Sequence, residues 1–214
     1  IANKRNIPML EIPRSELDRL TDGSVHQGVA MQIPPYKYPD ATDLVLDTME
    51  RWHSGKLSTP PLFVALDGIT DPRNLGAIIR SVSAFSGDGV IIPERRSAAV
   101  TAGAWKTSAG AAARIPVAMA TNLTRVIQQA KEQGIFVIGL DGGGDIELPA
   151  LELANEPLCV VVGSEGKGLS RLVTENCDQI VSIPIDSAME SLNAAMAVGI
   201  TLYDVSRRRA VAAE

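Results

Sequence analysis

The run Cys159-Val160-Val161-Val162 narrows the fold more than any other feature of the chain. It is apolar at every position instead of at every second one, so a strand here must be covered on both faces. A parallel sheet sandwiched between helices meets that demand. Comparable short apolar runs occur over 62–66, 89–92, 115–118, 136–140, 158–162 and 179–185. Between them lie stretches of helical spacing over 75–85, 100–108, 123–132, 168–175 and 192–207. The alternation predicts an α/β fold. With 214 residues, 45% hydrophobic and 21% charged, the chain has material for one ordinary core and a small appendage.

Upstream of that pattern, 15–20 can form a short helix, Asp22-Gly23 a turn and 28–33 a strand. The segment Pro34-Pro35-Tyr36-Lys37-Tyr38-Pro39 breaks regular structure, because paired prolines remove donors and restrict their neighbours. A helix over 43–52 follows, ended by Pro60-Pro61. The expected organisation is therefore an N-terminal piece over 1–34, a linker and helix over 35–60, and an α/β domain over 61–210. Cys159 and Cys177 stand 18 apart without a second pair or a histidine cluster, so neither a disulfide framework nor a metal site is expected. No apolar run is long enough to cross a bilayer, and a soluble, cytoplasmic protein is expected.

The formal net charge of −5 speaks against a general nucleic-acid binder. Local clusters at Arg95-Arg96 and Arg207-Arg208-Arg209 are either phosphate contacts or solvated surface. Three Phe, three Tyr and two Trp do not suggest a base-stacking platform.

Three blocks carry candidate chemistry. The first, Asp67-Gly68-Ile69-Thr70-Asp71-Pro72-Arg73-Asn74-Leu75-Gly76-Ala77-Ile78-Ile79-Arg80-Ser81, follows a strand and opens a helix, where α/β proteins place ligands. Asn74 is a candidate N-cap, and Arg80 sits far enough along to reach back to a cleft; an ordinary capped helix with a surface arginine is the plainer account of the local features. The second block is Val161-Val162-Gly163-Ser164-Glu165-Gly166-Lys167-Gly168-Leu169. Its glycines permit close backbone approach, and its amides could bind an anion. A phosphate loop is excluded because Leu169 stands where lysine must follow Gly168. Glu165 is either a functional acid or a first-turn helix residue. The third block is Ser182-Ile183-Pro184-Ile185, then Met189-Glu190-Ser191-Leu192-Asn193 and the small residues of 194–199. Ser191 is a candidate N-cap, and alone the block indicates a tightly packed helix. A dinucleotide-binding oxidoreductase is disfavoured, since no Gly-x-Gly-x-x-Gly turn follows the first strand.

Taken together, the blocks resemble, in order and spacing, the three motifs of the SpoU/TrmH family of SPOUT methyltransferases, over about 62–209. Within it they look closest to the bacterial enzymes that methylate a guanosine 2'-hydroxyl of 23S rRNA. The stretch Leu17-Asp18-Arg19-Leu20-Thr21-Asp22-Gly23-Ser24-Val25-His26-Gln27-Gly28-Val29 resembles the end of the family's small N-terminal RNA-binding domain, so the chain is expected to begin inside that domain. His26 is assigned to surface or RNA contact and not to catalysis.

The resemblance implies a parallel-sheet domain ending in a deep trefoil knot, a homodimer packed partly through the last helix, and S-adenosylmethionine as cofactor. RNA is the implied partner, 23S rRNA first, with neither DNA nor a membrane. It assigns catalysis to Arg80, Asn74, Glu165 and Asn193. It assigns cofactor contacts to Leu140, Gly163, Ser164, Gly166, Ile183, Pro184, Met189, Ser191 and Leu192, with no metal. Ala195 and Ala113 depart from the family pattern, which often has serine and glutamate there. Alternatives are a tRNA ribose methyltransferase, an antibiotic-resistance rRNA methyltransferase, or a non-catalytic RNA-binding assembly protein.

Overall fold

A computed structural model of the chain describes residues 3–23 and 25–212. Two compact units are present, 1–36 and 37–214. The first holds a 3₁₀ turn, Asn3–Arg5, and helix α1, Arg14–Leu20. The strand expected over 28–33 does not form: Val29 and Met31 are each 75% exposed, and no partner strand lies beside the segment among the described residues. A strand without a ladder leaves its backbone groups to water, and nothing then favours the extended form. The His26 side chain is held inside this unit, 7% exposed, with Nε2 against Asp18 Oδ1 at 2.8 Å and Nδ1 accepting the Gly28 N–H at 2.9 Å. The ring thus staples the turn.

The second unit contains helix α2 (Ala41–His53), then β1 (Leu62–Asp67), α3 (Pro72–Ala84), β2 (Gly89–Pro93), α4 (Ala102–Thr107), β3 (Val117–Ala120), α5 (Leu123–Glu132), β4 (Phe136–Leu140), β5 (Ile146–Glu147), β6 (Leu158–Gly163), α6 (Arg171–Asn176), β7 (Gln179–Ser182) and α7 (Ala194–Ala212). All seven strands are parallel, in the order β3-β2-β1-β6-β4-β7-β5. Alternate residues of each strand serve opposite layers. Phe63, Ala65, Ile91, Val137, Cys159 and Val161 pack with α2, α5 and Val173 of α6. The opposite side carries α3, packed against both α4 and α7, with α7 lying against β6. This two-sided covering is why β6 is apolar throughout and wholly buried. α2 is part of the core, supplying Ala41, Val45 and Met49.

Element ends move by a few residues for local reasons. β3 starts two residues after the expected position because Ile115 N–H is already bonded to Ala111 O at the end of a 3₁₀ turn. β7 stops at Ser182, since Pro184 has no N–H for the ladder. The loop over 141–145 folds onto β7: Asp141 N–H donates to Val181 O at 3.1 Å, and Ser182 Oγ donates to Gly144 O at 3.2 Å. A Cβ on Gly144 would stand 2.8 Å from Ile180 O and Ser182 N, so this crossing admits only glycine.

Candidate active site

The carboxyl ends of β1, β6, β4 and β7 bring the three sequence blocks to one edge of the sheet. Leu140 ends β4 between Val162 of β6 and Val181 of β7, which sets Gly163 and the segment after Ser182 on either side of it. Beyond Gly163 the chain turns sharply. Ser164 N–H donates to Gly168 O at 3.1 Å and Gly168 N–H to Ser164 O at 2.9 Å, closing a loop with Glu165 on it. A Cβ on Gly163 would lie 2.1 Å from the Gly168 carbonyl carbon, so the loop folds back only because residue 163 is glycine. These two bonds occupy Gly168, which explains why α6 begins at Arg171 and not at 168.

Asp67, the last residue of β1, ties this loop to the first block: its Oδ2 accepts the Ser170 N–H at 2.6 Å. Four residues on, Asp71 caps α3, its side chain accepting the Arg73 N–H at 2.8 Å, with Pro72 at the first helical position. The helix therefore starts three residues before the sequence expectation, and Asn74 is not its cap. Inside the first turn, Asn74 instead points its amide across to the second block.

That amide meets two partners. Asn74 Nδ2 donates to Glu165 Oε1 at 2.7 Å, and Asn193 Nδ2 donates to the same oxygen at 2.8 Å and to Asn74 Oδ1 at 3.1 Å. Residues separated by 91 and 119 positions thus close one hydrogen-bonded triangle. Two amide donors on one carboxylate oxygen are charge-assisted bonds, which are stronger and more directional than neutral ones. Asn193 has a second duty, because its Oδ1 accepts the N–H groups of Ala195 at 2.9 Å and Met196 at 3.3 Å. It is the N-cap of α7, where the sequence suggests Ser191; Ser191 is exposed and lies before the helix.

Arg80 does not join the triangle. It is exposed on α3, two i+3 steps from Asn74 and about 9 Å along the axis at about 1.5 Å per residue. Among the described residues its guanidinium has no hydrogen-bond or ion-pair partner. The expected cofactor residues line the same edge. Leu140 and Gly163 are buried, Ser164, Ile183 and Leu192 half-buried, and Gly166, Pro184, Met189 and Ser191 exposed. The segment from 183 to 193 is irregular, with Met189 N–H closing a turn on Asp186 O, and it leaves Ile185 and Met189 40% and 62% exposed. Among the described residues no group of acidic, cysteine and histidine side chains could hold a metal ion.

Two residues escaped the sequence reading. The Asp71-Pro72 pair is a helix-start signal that was available. Asp67 has no local signal, since its partner lies 103 positions away. The basic triplet at the end of α7 also resolves. Arg208 donates to Leu148, Leu151 and Pro149 carbonyls and to Asp204, and Arg209 donates to the carbonyls of Ala154, Glu156, Pro60 and Pro61. Burial lowers the Arg209 guanidinium to about 10, so it is a cation at neutral pH. Of the three, Arg207 alone is mainly exposed, paired with Asp204 at 3.0 Å. No helix among the described residues is long and apolar enough to cross a membrane.

Known proteins resemble this chain in sequence and in fold. The SpoU rRNA Methylase family matches residues 61–203, and the family described as RNA 2'-O ribose methyltransferase substrate binding matches 1–39. An uncharacterized tRNA/rRNA methyltransferase of Mycobacterium avium is 59% identical over 97% of this chain, and one of Mycolicibacterium smegmatis 54% over 98%. The chain spans 65% and 64% of those two relatives' lengths. Among solved structures, the SpoU methyltransferase AviRb from Streptomyces viridochromogenes, in complex with AdoMet, is 29% identical with TM-score 0.67, covering 72% of this chain and 63% of that one. The AdoMet-bound rRNA methyltransferase of Sinorhizobium meliloti is 25% identical with TM-score 0.68, covering 80% and 61%. Because the methylase match runs from the start of β1 into α7 and takes in all three corners of the triangle, the chain belongs to the SpoU rRNA methylase family.

Proposed function

We propose that the protein transfers a methyl group from S-adenosylmethionine to a ribose 2'-hydroxyl of RNA, with a guanosine of 23S rRNA as the target. The observation that carries this reading is the Asn74–Glu165–Asn193 triangle with Arg80, which has no partner among the described residues, beyond it on α3. The rRNA target rests on the resemblance of the motifs and on the rRNA methyltransferase from Sinorhizobium meliloti. The relatives named tRNA/rRNA methyltransferase leave tRNA as the second reading.

The cofactor supplies a methyl group already activated on a sulfonium. Apolar side chains of Leu140, Ile183, Met189 and Leu192, with backbone of Gly163, Ser164, Gly166, Pro184 and Ser191, would hold it. The chemistry of this set suits the ligand: irregular backbone offers amides and carbonyls to a purine, and the apolar side chains offer it a dry face. The protein's remaining task is the nucleophile. A ribose hydroxyl titrates about five units above neutrality, so full ionisation would cost about 7 kcal/mol. A guanidinium is a poor proton acceptor, so Arg80 serves by stabilising negative charge as it grows on the 2'-oxygen while holding an adjacent phosphate. Asn74 orients the hydroxyl. Glu165 fixes the Asn74 amide, and Asn193 links both to the start of α7. The proton leaves to water or to the RNA.

The same reading includes the C-terminal trefoil knot and a homodimer. The tight crossing at Gly144 supports the first. Met196, Ile200 and Tyr203, spaced i, i+4, i+7 on α7 and 59%, 37% and 56% exposed, support the second.

Transfer of labelled methyl to unmodified 23S rRNA and separately to tRNA, with the labelled nucleotide mapped and Arg80→Ala as control, tests the proposal. Label on one rRNA ribose that vanishes in the control is expected. Label on tRNA instead would change the target and keep the chemistry. Cofactor binding without transfer to either would refute the enzymatic reading in favour of a non-catalytic RNA-binding protein.

A further inference from the structure

The remaining basic pair of the sequence, Arg95-Arg96, has not been given a role by the site or by the fold. β2 runs beside β1 with Ala65 opposite Ile91, so continuing the register puts Pro93 level with Asp67, where the site begins. The turn that follows is pinned on both sides. Glu94 N–H donates to Ala120 O at 2.9 Å, and Ala98 N–H donates to Ile69 O at 2.7 Å. Ile69 belongs to the loop that leads into Asn74, so the arginine turn and the first block are joined by a direct bond. Val100 N–H donates to Tyr38 Oη at 2.8 Å and holds the far end.

At the tip, Arg96 takes φ +59°, a left-handed conformation that residues other than glycine rarely adopt. Both arginines are exposed, and among the described residues neither side chain has a hydrogen-bond or ion-pair partner. That contrasts with Lys131, Arg171, Arg207, Arg208 and Arg209, each of which is paired within the fold. Glu94 is exposed beside them, so the turn has a net single positive charge in a chain whose formal charge is −5. Two unpaired guanidinium groups on a fixed turn beside the site suit a ligand that carries repeating anions.

We propose that Arg95 and Arg96 form a phosphate clamp that grips the RNA strand next to the nucleotide being methylated; the assignment rests on the RNA 2'-O-methyltransferase reading above. A reacting ribose has a phosphate on each side. When its 2'-hydroxyl sits at Asn74, the chain of phosphates must leave across the neighbouring strand ends, and the β2 turn is one of them. Guanidinium groups bind phosphate in fork geometry and release counterions when they do so. The clamp positions the substrate and does not touch the reacting atoms.

The test is the double variant Arg95→Ser/Arg96→Gly, in which glycine accepts the left-handed φ at position 96 and the turn keeps its path. Methyl transfer is measured against RNA concentration at several salt concentrations. The expected result is a KM for RNA raised on the order of tenfold, kcat within about twofold, unchanged cofactor affinity and unchanged melting temperature. The slope of log(kcat/KM) against log salt should fall by about 1.5, at about 0.7–0.9 per lost phosphate contact. Lysine at both positions should restore most of that slope. An active wild type whose KM and salt slope are unaltered in the variant overturns the clamp, as does a fall in kcat at constant KM. If the wild type methylates no RNA, the enzymatic reading fails by itself, and the same slopes from equilibrium RNA binding then decide the clamp.

Discussion

Arg209→Ala should destabilise the domain by about 4 kcal/mol without touching the active site. The guanidinium donates from Nε to Ala154 O at 2.8 Å, from Nη2 to Glu156 O at 2.6 Å and from Nη1 to Pro60 O, joining the end of α7 to the segments that lead into β6 and β1. Hydrogen bonds from a charged group contribute about 1.5–3 kcal/mol each. The contact at Glu156 is open to water and can be replaced, whereas those at Pro60 and Ala154 are half-buried, so two bonds carry most of the loss. Asp88 adds to it. Burial raises its carboxyl above the usual range, while the Leu62 N–H bond and the nearby Arg209 charge act in the opposite direction, and the variant would remove that charge. At about 2–4 °C per kcal/mol for a chain of this size, the melting temperature should drop by roughly 10 °C. Arg207→Ala, which removes only an exposed pair with Asp204, should change stability by less than about 1 kcal/mol. Calorimetry at pH 7 on both variants gives the comparison. An Arg209→Ala protein that melts with Arg207→Ala but loses RNA affinity would refute the structural role of Arg209 and return the triplet to nucleic-acid contact.

Three further outcomes are expected. Gly163→Ala should abolish cofactor binding, measured by calorimetric titration, because its Cβ would collide with the Gly168 backbone at 2.1 Å and force the Glu165 loop open. Asn193→Ala should lose methyl transfer and about 1 kcal/mol of stability, whereas Asn193→Ser, a capping residue without the amide that reaches Glu165, should lose transfer but keep more of the stability; equal melting temperatures for both variants would contradict the cap. Burial pushes the Cys159 thiol up to about 12 and the Cys177 thiol up to about 11 from 9.0. Their folded values thus exceed the unfolded one, so their contribution to stability is complete below pH 9 and is lost as pH rises toward 12. In thiol titration at pH 7.5, Cys159 should react only on unfolding.

Which segments pair with water and which with one another is written in local order, and the sequence determined that much here. The apolar run at 159–162 announced a strand covered on both faces, and 123–132 and 136–140 match α5 and β4 to the residue, because each is set by its own periodicity and by neighbours a few positions away. The motifs likewise exposed Asn74, Glu165 and Asn193 as candidates. Tertiary structure decided what those groups do. Asn74 is freed from capping because Asp71 does it, Asn193 takes the cap that Ser191 seemed to offer, and Asp67 holds Ser170 across 103 positions. It also separated two basic clusters of like composition, turning Arg208 and Arg209 inward to carbonyls while leaving Arg95 and Arg96 without a partner among the described residues. A side chain's partner depends on which strand ends the parallel order brings together, and that order is settled by packing over the whole sheet, beyond the reach of any local window.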